Sequence, residues 1–342
     1  MAGLGCTQNS QSCEETTAMK RIATALAGAC LTAALGIFAG PATADDYPAR
    51  PVRLIVGMAP GGSNDTVARL VAAELSKRWP QPMIVENKPG ANSTIATSEL
   101  KRATPDGYTL MLVISSHVTN TLLYPNLNYT LADFAPVSLI ADTPFVLVAN
   151  PKFAPNNARD LISMAKARQG GIDFGTPGQG STQHIALELF DQMAGIRMNH
   201  IPYKGGAPAQ TDVIAGQIPL IFATPTQSLP FIKQHKLKAL GVTSKERLPQ
   251  LPDVPTLDQS GVPGYEANVW FGIIAPAGTP PQRVDYLNKQ ISGVIQSPEI
   301  KAKLNELGLN LLDQPPAQFQ QLIDSEKAKW ARVISQSNIK FD

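Results

Sequence analysis

From position 51 onward, short apolar runs alternate with segments whose apolar residues recur every three or four positions. Residues 52–56 read as a strand. Residues 66–79 then place Val67, Leu70, Val71 and Leu75 on one helical face. The pattern continues with a strand over 83–85, a helix over 93–101 and a strand over 109–114. Runs this apolar fit strands covered on both faces, which predicts a mostly parallel sheet. A second alternating series starts near Phe145, with strands over 145–148, 172–174, 200–202, 220–223 and 237–242. Helical patterns over 158–167, 185–193 and 209–215 lie between them, Leu189 and Phe190 marking the face of the second. A further strand over 269–274 precedes three closing helices. In the first of these Val284, Leu287, Ile291 and Val294 share a face; in the last Phe319, Leu322, Ile323, Trp330 and Val333 do so.

Two wound series with a late return predict two α/β lobes joined by two chain crossings, near 140–143 and 265–268. Lobe 1 then comprises residues 45–141 plus 268–342, and lobe 2 residues 142–267. Each lobe is expected to hold a doubly wound, mostly parallel sheet. The cleft between such lobes collects strand C-termini and helix N-termini, the favoured ligand position in open α/β sheets.

Residues 1–44 have a different character. Met19-Lys20-Arg21 is followed by an uncharged run over 22–39, then Gly40-Pro41-Ala42-Thr43-Ala44 and Asp45-Asp46. Basic, apolar, small-x-small and acidic in that order is the pattern of a cleaved export signal, with the cut after Ala44 and residues 1–18 an upstream extension. A transmembrane anchor of the same length is normally richer in Leu and Val. All three cysteines, Cys6, Cys13 and Cys30, precede the cut, so the exported chain carries no disulfide, thiol nucleophile or thiolate metal site. Ala27-Gly28-Ala29 before Cys30 also lacks the large apolar residue of a lipidation signal.

Composition narrows the function classes. The 29 basic against 27 acidic residues leave a formal charge of +2, which argues against nucleic acid as the partner. With 43% hydrophobic residues and no like-charge block, the chain is not a disordered tail. Its 26 Gly and 29 Pro predict many sharp strand-to-helix turns.

The candidate chemistry sits on those turns. The loop Ala59-Pro60-Gly61-Gly62-Ser63-Asn64-Asp65-Thr66 joins a strand to a helix. Its glycines let a ligand approach the backbone, and Ser63, Asn64 or Asp65 can cap the helix. Free N–H groups at the helix start would suit a carboxylate. The loop Gly175-Thr176-Pro177-Gly178-Gln179-Gly180-Ser181-Thr182 has the same design in the other lobe. One such loop per lobe outweighs the reading of either as an ordinary capped turn, and two opposed helix ends suit the two ends of a dianion. Other strand ends add Ser115-Ser116-His117, Tyr203-Lys204-Gly205-Gly206 and Thr224-Pro225-Thr226, Lys204 being the cation among them. Val118, Phe145 and Phe222 serve either as an apolar slot or as core.

No catalytic set emerges. In Gly178-Gln179-Gly180-Ser181-Thr182 the serine falls one position late for the G-x-S-x-G elbow. A hydrolase would have to use Ser181 with His184, three residues apart on one helix and without an implied third group. The four histidines, His117, His184, His200 and His235, lack metal-ligand spacing, and neither nucleotide-binding glycine signature is present. No metal and no cofactor is expected.

A series of short motifs points further. Tyr47-Pro48, Pro51-Val52-Arg53-Leu54-Ile55-Val56, Ala59-Pro60-Gly61-Gly62 with Asp65, and Val85-Glu86-Asn87-Lys88-Pro89-Gly90-Ala91 occur in order. Pro105-Asp106-Gly107-Tyr108-Thr109-Leu110, Phe134-Ala135-Pro136-Val137, Tyr203-Lys204-Gly205, Trp270 with Gly272, and Ala275-Pro276-Ala277-Gly278-Thr279-Pro280 follow. From about Tyr47 to the end, the chain resembles the Bug-type solute receptors of tripartite tricarboxylate transporters. The resemblance implies a two-lobed periplasmic binding protein that closes on a small carboxylate and hands it to a permease of one large and one small subunit. It implies that the carboxylate is held by backbone N–H groups and bridging waters from two opposed loops, which match 59–66 and 175–182 here. A permease-docking receptor is most simply a monomer. The same ligand chemistry would serve a receptor that signals to a membrane sensor. Ser63-Asn64 stands where relatives often have another Gly, Ser or Thr pair, and Asn92-Ser93 where they often have glycine. Both departures bear on ligand identity, not on the fold.

The expected ligand-binding residues are therefore Pro60, Gly61, Gly62, Ser63, Asn64, Asp65, Ser115, Ser116, His117, Gly178, Gln179, Gly180, Ser181, Tyr203, Lys204, Gly205, Thr224 and Pro225.

Overall fold

Apolar runs with β-branched residues form the strands, and the periodic segments between them form helices that cover the sheets. A computed structural model describes residues 47–337. The export signal, its cut site and the three cysteines lie outside the described residues.

The first sheet contains β1 (Val52–Val56), β2 (Met83–Asn87), β3 (Thr109–Ile114), β4 (Phe134–Pro144), β10 (Asn268–Pro276) and β11 (Asn310–Gln314), in the order β11-β4-β10-β3-β1-β2. The second contains β5 (Val146–Ala149), β6 (Asp173–Thr176), β7 (Asn199–Pro202), β8 (Leu220–Ala223) and β9 (Lys238–Val242), in the order β7-β6-β8-β5-β9. In chain order the helices are α1 (Ser63–Arg78), α2 (Thr94–Lys101), α3 (Ser116–Leu123), α4 (Ala158–Ala167), α5 (Thr182–Ala194), α6 (Gly206–Ala215), α7 (Pro225–Lys233), α8 (Pro281–Ile295), α9 (Pro298–Glu306) and α10 (Pro316–Ser337).

The predicted parallel arrangement holds at β2-β1-β3 and at β7-β6-β8. The remaining pairings are antiparallel. The cause is the route of the chain. β4 runs toward the second sheet and β10 comes back from it, so the two pair antiparallel from Asn268↔Pro144 to Pro276↔Phe134. β5 and β9 repeat this on the other side of the junction. Each sheet is thus a parallel half fused to an antiparallel half.

Four elements escape the sequence pattern: β4, α3, α7 and β11. β4 carries Pro136 and Pro144, residues that normally argue against an inner strand. It tolerates Pro136 beside a register shift in its pairing with β10. α7 contains Pro230, a helix breaker by propensity.

Buried residues cluster around each sheet. Ile55, Met111, Val113, Trp270, Ile274 and Phe319 centre the first core, and Val146, Val148, Val213, Ile221 and Val242 the second. Phe145 and Phe222 are fully or nearly buried and pack with Phe174 and Tyr265, so they are core and not an apolar slot. Val118 is likewise core.

Gly272 shows how tight this packing is. A Cβ built on it would lie 2.2 Å from Cζ of the fully buried Phe319. Glycine here is a space requirement, because the Phe319 ring lies against the strand backbone. We predict that Gly272→Ala lowers stability by about 1–3 kcal/mol in denaturant unfolding, the usual cost of overpacking a core. Phe319→Leu in the same chain should recover part of it; equal stability of Gly272→Ala and the parent would refute the packing account.

Candidate functional site

The loop between β1 and α1 is held from behind so that the helix start is left open. Gly62 is the N-cap residue of α1 (φ −81°, ψ 172°), and no side chain caps the helix. The first N–H groups of a helix have no carbonyl one turn earlier, so they remain available as donors. Asp65 Oδ2 accepts from the Gly61 N–H at 3.1 Å and from Arg69 Nε at 2.9 Å. Its Oδ1 accepts from Asn87 Nδ2 at 2.9 Å, and Asn87 also donates to the Met58 carbonyl at 3.2 Å. Burial alone would raise the Asp65 pKa, but its bonds to Arg69, Gly61 and Asn87 outweigh it and hold the carboxyl below its usual range. Asp65, expected at the ligand, is therefore a brace. Arg53 stiffens the layer behind, with two bonds to Glu86 (2.9 and 2.7 Å) and one to Glu99 (2.9 Å).

In the second lobe the open helix start is not where the sequence placed it. The loop 175–182 leads into α5, but Ser181 Oγ accepts from the His184 N–H at 3.2 Å and so caps that helix. The Gly180 N–H donates to His184 Nδ1 at 3.1 Å. With Nδ1 so occupied and Nε2 3.5 Å from Glu188 Oε1, the His184 ring is not set to activate the Ser181 hydroxyl. An uncapped start facing the cleft belongs to α6, at Gly205 (φ +132°). A Cβ there would lie 3.6 Å from Cβ of Ala59, so the two glycine loops meet across the cleft.

Between them lies a small chamber of about 30 Å³ whose walls include Gly62, Ser63, Asn64, Gln183, Gly205, Gly206 and Gln227. None of its wall residues is charged. Gln227 spans it: its Nε2 lies 3.9 Å from a Cβ built on Gly62, and the same amide lies 3.0 Å from one built on Gly206. The Thr224 hydroxyl donates to Gln227 Oε1 at 3.2 Å, which orients the amide.

An outer cavity of about 680 Å³ adjoins the chamber and shares Met58, Ala59 and Pro177 with it. Its mostly apolar wall includes Pro89, Ala91, Tyr124, Gly178, Gln179, Pro202, Tyr203 and Lys204. Tyr124 Oη donates to the Gln179 carbonyl at 2.9 Å, joining the two lobes along this wall. Tyr203 Oη donates to Asp212 Oδ2 at 2.8 Å; burial, then Asp212, push its pKa up to about 12.

Of the expected residues, Gly62, Ser63, Asn64 and Gly205 line the chamber, and Gly178, Gln179, Tyr203 and Lys204 line the outer cavity. The others sit elsewhere. Pro60 and Gly61 are exposed at the loop tip. Ser115 is fully buried and accepts the Trp270 N–H at 3.2 Å. Ser116 and His117 lie behind Asn64 around a gap of about 10 Å³, with the His117 ring 5.2 Å from Phe134. Gly180 and Ser181 are spent on His184, and Thr224 acts through Gln227. Pro225 packs against Gly308, where a Cβ would come within 2.4 Å of it.

Gln183, Ala207 and Gln227 line the chamber but were missed, and Gly206, named only within its loop, lines it as well. The signal for Gln227 was Thr224-Pro225, a hydroxyl residue before proline at a helix start, which places Gln227 in the first turn. Gln183 lies in the first turn of α5, whose predicted start at 185 was late.

Among the described residues no group of three His, Cys, Asp or Glu could hold a metal ion, and no helix is long and apolar enough to cross a membrane.

Residues 67–339 match the model of the tripartite tricarboxylate transporter family receptor. The chain is 36% identical over 324 residues to BugT of Bordetella pertussis (strain Tohama I), covering 91% of this chain and 98% of that one. Its fold matches periplasmic binding protein BugD with a TM-score of 0.82 at 34% identity, covering 86% of this chain and 99% of the other. It matches R. palustris Rpa4515, solved with adipate, with a TM-score of 0.83 at 35% identity and the same coverage.

Two histidines give this region a pH signature. Burial lowers the His117 pKa to about 4; burial, then His184, lowers that of His200 to about 4. Both titrate near 6.5 when unfolded. Neutral rings therefore contribute stability that is present above pH 6.5 and lost as pH falls toward 4. Ring proton resonances in an NMR titration should show midpoints near 4 for both, and a midpoint near 6.5 would overturn the buried placement of His117 or the half-buried packing of His200 against His184.

Proposed function

Because this chain belongs to the tripartite tricarboxylate transporter receptor family, we propose that it captures a small carboxylate between its two lobes and delivers it to a membrane permease of one large and one small subunit. It is a solute-binding receptor of a family of periplasmic binding proteins, and its relatives are receptors and not enzymes.

One observation carries the ligand class. The uncapped starts of α1 and α6, from opposite lobes, border one chamber that has amide side chains and no charged group in its wall. A carboxylate is an acceptor only, and this wall is rich in donors. Enclosing it costs several kcal/mol of solvation. Hydrogen bonds to a charged group contribute about 1.5–3 kcal/mol each, so three or four N–H donors offset that cost without a cation. The helix dipoles add about 0.3–1 kcal/mol each. A cation would find no counter-charge here. Rpa4515, solved with adipate, supports the same class.

Because each lobe supplies one donor set, a ligand gains both only in the closed state and shifts the population toward closure. In this reading the lobes are 45–141 plus 268–342 and 142–267. The leader is cut after Ala44, and the exported chain acts in the periplasm as a monomer. The binding set is Gly62, Ser63, Asn64, Gly205 and Gln227 around the carboxylate, with Gly178, Gln179, Tyr203 and Lys204 around the rest.

A thermal-shift panel of carboxylates on protein freed of bound solute tests this. A cognate acid at 100 times its dissociation constant should stabilise the fold by about 2.7 kcal/mol. Gln227→Leu should weaken that acid about 10- to 100-fold, the loss of one bond to a charge, and leave the ligand-free melting point unchanged. A folded, solute-free protein that answers to no carboxylate would refute the proposal.

A further inference from the structure

We infer that the solute is an elongated acid: its carboxylate sits in the inner chamber and an apolar body of about six carbons or more fills the outer cavity. This rests on the carboxylate reading above and deepens it.

The chamber of about 30 Å³ admits one headgroup and little else. Both helix starts open onto it, so one carboxylate engages both, and a compact diacid would have no second anion site between them. The remainder of any ligand must project into the adjoining cavity of about 680 Å³, a volume usual for small-molecule sites. That wall offers rigid apolar surface from Pro89, Ala91, Pro177 and Pro202. Its two phenol groups are already engaged, Tyr124 with the Gln179 carbonyl and Tyr203 with Asp212, and the Asn92 amide donates to Asn120 Oδ1 at 2.7 Å, which leaves Gln179 and Lys204 as its other polar side chains. A hydroxylated body would therefore give up water and find few partners in return. A methylene buried there raises affinity about fourfold. Lys204 in this wall is exposed and so remains hydrated, and a polar or charged far end can stay in water beside it.

The Tyr124–Gln179 bond makes the wall selective for length as well. It closes one lobe onto the other beside the cavity, so a body that props the wall apart forfeits it.

Calorimetry on solute-free full-length protein with acetate, succinate, hexanoate, adipate and phenylacetate tests this. At least one of the three longer acids should bind 30-fold or more tighter than acetate and succinate. Pro89→Trp, at an exposed loop position that narrows the cavity, should weaken that acid at least tenfold and alter acetate by less than twofold. Tyr124→Phe, which keeps the ring, should weaken the same acid without lowering the melting point of the empty protein. Acetate or succinate binding as tightly as the longer acids would overturn the inference and leave the carboxylate reading intact, as would Pro89→Trp affecting acetate and the long acid alike. Binding of none of the five would overturn both.

Discussion

The two crossings between the sheets run side by side, and one buried residue ties them. Thr243 donates its backbone N–H to the Phe145 carbonyl at 2.9 Å and accepts the Phe145 N–H on Oγ1 at 2.7 Å. Its hydroxyl donates to the Ala267 carbonyl at 2.6 Å, and its carbonyl accepts the Ala267 N–H at 3.1 Å. Phe145 opens the outgoing crossing and Ala267 ends the return, so Thr243 holds both strands of the junction. Everything in the cleft depends on this. Two helix starts on separate sheets can meet at one chamber only if the connection between the sheets has a defined geometry. A third contact shares the junction, where the Thr143 hydroxyl donates to the Gly308 carbonyl at 2.6 Å and brings the chain after α9 against it.

Given that junction, the site is assembled mostly from backbone. Glycine at positions 62 and 205 leaves the helix starts without a capping side chain, and at 205 it also meets a φ of +132° that favours glycine. Charged residues behind the chamber are spent on bracing: Asp65 and Arg69 in α1, and Arg53 of β1 and Lys88 after β2 with Glu86 of β2 and Glu99 of α2. A neutral wall with ion pairs behind it has a physical rationale. On the proposed carboxylate reading, fixed dipoles would hold the anion without a counter-ion that binds it too tightly to release, and the ion pairs behind would keep those dipoles aimed at it.

The same arrangement explains why the second lobe's glycine loop misled. Loops 59–66 and 175–182 look alike in composition, but a helix start is open or closed according to where a single hydroxyl points. Ser181 turns back onto the His184 N–H, whereas Gly62 and Gly205 have no side chain with which to do so. Residue type permits a cap; only the φ/ψ at that residue and the packing around it decide whether the cap forms.

Local pattern was enough for the alternation of strands and helices, the two-lobed α/β class, and the glycine loop that begins at Ala59. These depend on side-chain periodicity and turn chemistry, which are written residue by residue. The antiparallel halves of the sheets, the brace role of Asp65, the core positions of Ser115 and His117, and the meeting of Gln227 with Gly62 were settled only in three dimensions. Each involves partners far apart in the chain, and no local preference encodes which of several distant groups a carboxylate, hydroxyl or amide will face. Gln227 and Gly62 share one chamber wall because the chain crosses from one sheet to the other and back, and that juxtaposition belongs to the tertiary structure alone.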